Sequence, residues 1–184
     1  KSNDLYQPTL SEIASLVHGV WQNPKEKYSK KIIQLMKDFW LRGFTGVHYV
    51  PNEGAYIQDH PQIQDGRVFM NKDDLVKKLE SHNIDVRFVS FGFQTGEQKT
   101  KELAKNPFII ALAGNEEQAE KVAEIADKYK LNPYLWSFNS VEEPITRVSA
   151  LAEGSDGVRL DVYGNTVLTA GAVMLLGVSA PKAL

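Results

Sequence analysis

Residues 106–138 read NPFIIALAGNEEQAEKVAEIADKYKLNPYLWSF, and the reading of this stretch decides the fold class. Phe108 to Ala113 is a near-continuous apolar run, the pattern of a strand covered on both faces. Asn115 then supplies a helix cap, Glu116 and Glu117 suit the positive end of a helix dipole, and Ala119, Val122, Ala123, Ala126 and Tyr129 recur on one helical face. Asn132-Pro133 ends that period and leads into a strand over Tyr134 to Phe138. Strand, helix, strand is a βαβ unit.

The stretch upstream has the same order. Val68 to Met70 reads as a strand, Asn71 and Asp74 open a helix through about His82, Asn83 ends it, and Ile84 to Phe91 is the next strand. Between the two units, Gly92 and Gly96 bracket a turn, and Glu97 to Lys105 forms a short helix that Asn106-Pro107 stops. Two ordinary βαβ units account for the shared order without a duplication.

Toward the N-terminus, Thr9 and Glu12 have the spacing of a capping box, and Ile13, Leu16, Val17 and Val20 share one face of a first helix running to about Gln22. Pro24 starts a second helix, in which Tyr28, Ile32, Leu35, Met36, Phe39 and Trp40 recur until Gly43 ends it. Phe44 to Val50 is a strand, and Pro51 to Arg67 is read as a long loop or loose hairpin, of a length uncommon without a function. Toward the C-terminus, Val158 to Tyr163 and Thr166 to Leu168 flank Gly164-Asn165 as a hairpin, and Ala170 to Val178 adds a third strand. The chain is therefore expected to be an α/β or α+β protein with a mixed β-sheet covered by helices: two N-terminal helices, two βαβ-like units and a C-terminal β-meander. Its 184 residues suit a single domain, with a helical front over 1–42, an α/β body over 43–161 and apolar strands over 162–184.

Composition narrows the chemistry. With 42% apolar and 24% charged residues the chain is expected to be soluble and globular, and Lys1 to Pro8 lacks the pattern of a signal peptide. No cysteine is present, which removes disulfides, thiolate metal sites and cysteine nucleophiles. Val162 to Pro181 carries no charged side chain, but Gly171, Gly177 and the turn at Tyr163-Gly164-Asn165-Thr166 argue against a membrane span and for buried strands or strands that pair with a partner. The net charge of −2 is an average: residues 1–42 carry +3, residues 43–161 carry −6, and Lys182 adds +1.

Dinucleotide, P-loop, zincin and serine-elbow motifs are absent from the sequence, and no cofactor is expected. Ala113-Gly114-Asn115 comes nearest to a phosphate site, but the adjacent Glu116 and Glu117 would repel an anion. Catalytic candidates are Glu53, Asp59, His60 and Asp65 in the long loop; with His48, the Asp59-His60 pair also offers metal ligands. The same residues are normal turn chemistry, in which side chains cap their own backbone. His18 and His82 fall on helices, as a half-buried side chain and a helix-end cation. Lys25, Lys27, Lys30, Lys31, Lys37 and Arg42 with Trp21, Tyr28 and Trp40 fit either a solvated face or a nucleic-acid interface. Phe88, Phe91 and Phe93, like Tyr134, Trp136 and Phe138, alternate so that each strand has one aromatic face; in the core they stack, and left open they form a ligand platform.

The leading functional reading is a structural or interaction protein that joins a protein partner or a second copy through its C-terminal strands, with no membrane role. One alternative is a small hydrolase or ligand-binding enzyme in which His60 acts as general base and Asp59 or Asp65 orients it or holds a metal. The other, less favoured, is nucleic-acid binding through the basic helix over 24–42. Enzymatic class and compartment are not legible in the chain.

Overall fold

A computed structural model of the chain describes residues 5–154, 157–167 and 178–179. After strand β1 (Leu5–Tyr6), Thr9 and Glu12 form the expected capping box. The Thr9 hydroxyl accepts from the Glu12 amide at 3.2 Å, and the Glu12 carboxylate accepts from the Thr9 amide at 2.8 Å. Helix α1 (Leu10–Gln22) starts there and buries Leu10, Ile13, Ala14, Val17 and Val20. Helix α2 (Lys27–Asp38) ends earlier than its periodicity predicts: Phe39 is already extended, with φ −145° and ψ 156°. Strand β2 (Leu41–Val50) takes over because Leu41 and Arg42 pair with Leu151 and Ala150.

Of the two expectations for 51–67, a hairpin forms over its second half and the long loop is replaced by a strand. Strand β3 (Gly54–Asp59) pairs with β2 from Val50↔Gly54 to Thr45↔Asp59, and β4 (Gln62–Gln64) and β5 (Arg67–Phe69) form an exposed hairpin turning at Asp65-Gly66. Gly54 has φ 157° and packs so closely that a Cβ there would lie 2.1 Å from the Val89 carbonyl oxygen. Asn71 caps α3 (Lys72–Glu80) as expected, followed by β6 (Val86–Ser90) and β7 (Gly96–Glu97).

The largest departure lies in the stretch that decides the fold class. After α4 (Thr100–Leu103), Asn106-Pro107 starts a helix instead of stopping one, and Phe108–Ala113 belongs to α5 (Pro107–Ala113), not to a strand. Asn106 accepts from the Phe108 amide at 2.9 Å, and Pro107 occupies the first helical turn, where its missing N–H has no cost. Phe108, Ile109, Ala111, Leu112 and Ala113 are all buried, and an apolar run buried on every side has no period that separates helix from strand. Helix α6 (Glu116–Ala126) follows with its predicted cap and buried stripe. The chain continues through β8 (Tyr134–Trp136), β9 (Ile145–Glu153), β10 (Leu160–Thr166) and β11 (Val178–Ser179).

Strand β10 runs straight through Gly164-Asn165, slipping register against β9 between Tyr163 and Thr166, so the expected hairpin is a bulge. Gly164 serves packing: a Cβ there would lie 2.5 Å from Phe108 Cζ. Of the expected third strand, Ala170 to Gly177 lies outside the described residues, and Val178–Ser179 pairs antiparallel with β1.

The result is an α+β fold with a mixed seven-stranded sheet of order β6-β3-β2-β9-β10-β8-β7, antiparallel except for β8 beside β10. Alternation along the strands separates two faces. Val47, Tyr49, Ala55, Ile57, Leu135, Leu151, Leu160 and Val162 join the main core with residues of α1, α5 and α6. On the outer face, Val50, Tyr56 and Val86 pack with Met70 and with Leu75 of α3. That cover lies over β2, β3 and β6, while β8 and β10 present their outer side chains beyond it. Among the described residues no helix is long and apolar enough to cross a membrane.

Candidate functional site

Of the polar residues singled out around the 51–67 stretch, Asp59 and His60 line one recess with Glu12, Asp85, Arg87 and Asn115, and His48, Glu53 and Asp65 are not among its lining. Asp59 points to the inner face beside Thr45 and is held by Arg87 at 2.6 Å and by the Thr45 hydroxyl at 2.6 Å. Thr45 in turn accepts from the Leu10 amide at 3.0 Å, so this carboxylate ties β2, β3 and β6 to the start of α1. His60 follows with φ 49°, exposed, its ring about 6 Å from those of Tyr6 and Phe44. Asp65 has φ 51° at the tip of the β4–β5 hairpin. Glu53 sits in the β2–β3 turn, paired with Lys72 and accepting from the Tyr56 hydroxyl at 3.3 Å.

His48 lies on the opposite side of β2 from Thr45, buried, with Nδ1 at 2.9 Å from the Thr146 hydroxyl. Burial first, and the Lys72 charge second, hold its pKa below the usual 6.5. Among the described residues no three His, Asp or Glu side chains are grouped so as to hold a metal ion. His18 meets Glu124 at 2.7 Å, and His82 is exposed with φ 55° beyond the end of α3.

The aromatic alternation of β8 leads somewhere else. Leu135 enters the core, while Tyr134 and Trp136 stand on the outer face, half-buried and 4.3 Å apart by ring centroids. The parallel pairing sets Trp136 beside Tyr163 and Tyr134 beside Asp161. Trp136 and Tyr163 are nearly coplanar in orientation, 8° apart with centroids 6.0 Å apart, and Trp40 stacks against Tyr163 at 4.6 Å. Tyr163 therefore stacks against two indoles, that of Trp136 on β8 and that of Trp40, the residue before β2. The Arg159 guanidinium closes the far end of the row, 4.9 Å above the Tyr134 ring.

Beside Tyr134, Asp161 is buried with both oxygens engaged: Arg159 Nε donates to it at 2.9 Å and the Tyr163 hydroxyl at 3.1 Å. Burial and then the Asp161 charge push the Tyr163 hydroxyl well above its usual pKa, so it stays protonated and keeps donating. Beside the row a recess of about 270 Å³ is lined by Trp40, Trp136, Tyr163, Glu153, Arg159 and Asp161, with Lys37 to Phe39 at the end of α2 on its rim. Phe39 is 50% and Trp40 45% exposed, values high for large rings held in fixed packing. The set consists of stacked rings, a carboxylate paired with a guanidinium and, among the lining residues of the recess, Lys37, which is in none of the ion pairs of the described residues.

Sequence reading singles out Tyr134 and Trp136 but not Tyr163, Asp161 or Arg159. Their signal is present in the shared parity of Asp161 and Tyr163 around the core residue Val162. Trp40 falls on a helical stripe in the sequence because its period with Tyr28 and Met36 continues past the last helical residue; in the structure it lies beyond the helix.

No protein-family model and no curated protein matches this sequence. Among solved structures, one described as the accommodation of massive sequence variation in Nanoarchaeota by the C-type lectin fold superposes with a TM-score of 0.60. The match covers 89% of this chain and 83% of the other, at 13% sequence identity. The architecture of this chain is thus that of the C-type lectin fold.

Proposed function

We propose that this protein is an interaction protein that docks another polypeptide on the aromatic row formed by Trp40, Tyr163, Trp136 and Tyr134. The observation that carries the reading is the exposure of Trp40 and Phe39 beside a recess whose other rings are locked by stacking. Tryptophan and tyrosine dominate interface energetics because they bury large areas at small entropic cost, and a row fixed in advance has little left to order. The C-type lectin fold of the solved neighbour is compatible with a binding role.

The test is selection of binders from a displayed peptide library on the native protein, followed by binding to Trp40→Ala and to a remote control, Ile84→Ser. Selected peptides are expected to lose about tenfold or more in affinity on Trp40→Ala, the effect of removing a hot spot, and to keep their affinity on the control. Equal binding to Trp40→Ala would overturn the reading.

A finer form of the same role is assembly of the chain with itself through its apolar C-terminal strands. Val162 to Thr166 lie in β10, whose two edges are taken by β8 and β9, so the pairing edge would have to come from beyond Val167, where residues 168–177 lie outside those described. What supports it is the uncharged run Val162 to Pro181. Light scattering on the purified chain is expected to return a multiple of one chain's mass, and a monodisperse monomer would exclude it.

A further inference from the structure

We infer that the polypeptide taken by the aromatic row is an acidic segment with one large apolar side chain, its carboxylates lying along α2 and its apolar residue entering the recess. This rests on the docking role of the row and adds the chemistry of its ligand.

On α2 the buried side holds Ser29 and Met36, Lys27 and Lys31 lie opposite it, and Lys30 and Lys37 lie on its flank, all four lysines exposed. Lys30 and Lys37 are seven residues apart, so they lie in one line two turns, or about 10 Å, long, and that line ends at the recess, whose rim includes Lys37. Among the described residues, none of these four lysines is in an ion pair. Lys27 and Lys31 are like charges at i,i+4, which costs helix stability by a few tenths of a kcal/mol. The acid on this side, Asp38, accepts two hydrogen bonds from the Gln34 amide, both at 3.0 Å. The helix thus presents a net positive strip, four lysines against Asp38 and the Glu26 at its start, in a chain whose residues 43–161 carry −6, and an acidic ligand is repelled from that body and attracted here.

A nucleic acid would share the charge but not the fit. Single strands bind by stacking bases on open ring faces. Here Tyr163 stacks against both Trp40 and Trp136, and Tyr134 packs against Trp136 and under the Arg159 guanidinium. What is accessible is Trp40 and Phe39 beside a recess of about 270 Å³, room for one aromatic or branched side chain rather than a series of bases.

The experiment uses fluorescence anisotropy on the full chain with a labelled glutamate-rich peptide bearing one central phenylalanine, its glutamine counterpart, and an oligothymidylate of equal length. The glutamate peptide is expected to bind about tenfold or more tightly than the glutamine peptide, with the difference shrinking as salt is raised. Replacing Lys27, Lys30, Lys31 and Lys37 with Gln, a good helix former, is expected to abolish that difference without unfolding α2. Trp40→Ala is expected to weaken both peptides alike. Equal binding of the two peptides would overturn the acidic assignment while leaving the row as a docking face. Loss of binding in the lysine variant but not in Trp40→Ala would overturn the row itself. Tighter binding of the oligothymidylate, competing with the peptide, would replace both with a nucleic-acid ligand.

Discussion

Asp59 and His48 show how single residues acquire a role from the register of β2. The carboxylate of Asp59 belongs to the inner face, where it is matched by Arg87 and Thr45; a partly buried charge with both oxygens engaged is a strut between strands. His48, one face away, is buried without a carboxylate partner and near Lys72. Its folded pKa is below the unfolded value of 6.5, so the unfolded chain binds the extra proton more readily. Stability is then complete above that value and falls as pH drops from 6.5 through the lowered folded pKa. Urea unfolding midpoints at pH 7.5 and 5.5 are expected to show this loss, and His48→Gln, which keeps a hydrogen-bonding group for Thr146, to flatten it. In the sequence His48, Asp59 and His60 are close together in number; that β2 and β3 send them to different faces depends on the pairing of Thr45 with Asp59 and of His48 with Tyr56.

Elements are legible where their termini carry local chemistry. The capping box of α1, the Asn caps of α3 and α6, and the buried stripe of α6 form as expected, because these interactions close within a few residues. Helix α5 is misleading for a related reason. Asn106-Pro107 has the sequence of a helix stop, yet Asn106 is the cap of α5, and its side chain also donates to the Gln94 carbonyl and to the Gln98 side chain, each at 2.8 Å. Removing it loses a cap and leaves the buried Gln98 side-chain oxygen without its donor, so Asn106→Ala is expected to lower unfolding free energy by about 2 kcal/mol in urea titration. Strand β3 is hidden in the sequence because Gly54 to Gln58 is buried on both faces and has no alternation to read.

At the scale of the whole molecule, the mixed sheet and its helices place one half of the outer face under α3 and leave the other to the aromatic row. The C-type lectin architecture sets β10 between β8 and β9, and that order is what brings Tyr163 beside Trp136 and under Trp40. Charge divides along the same plan, with the lysines of α2 ending at the recess. Sequence alone determined the caps, the amphipathic helices, the absence of thiol chemistry and the basic front, since each is dictated by residues near one another in the chain or by composition. Tertiary structure decided the helical state of Phe108 to Ala113, the faces of His48 and Asp59, and the assembly of Trp40, Tyr134, Trp136 and Tyr163. Those outcomes depend on which strand lies beside which, and a sheet's order is set by long-range pairing and burial that no local pattern encodes.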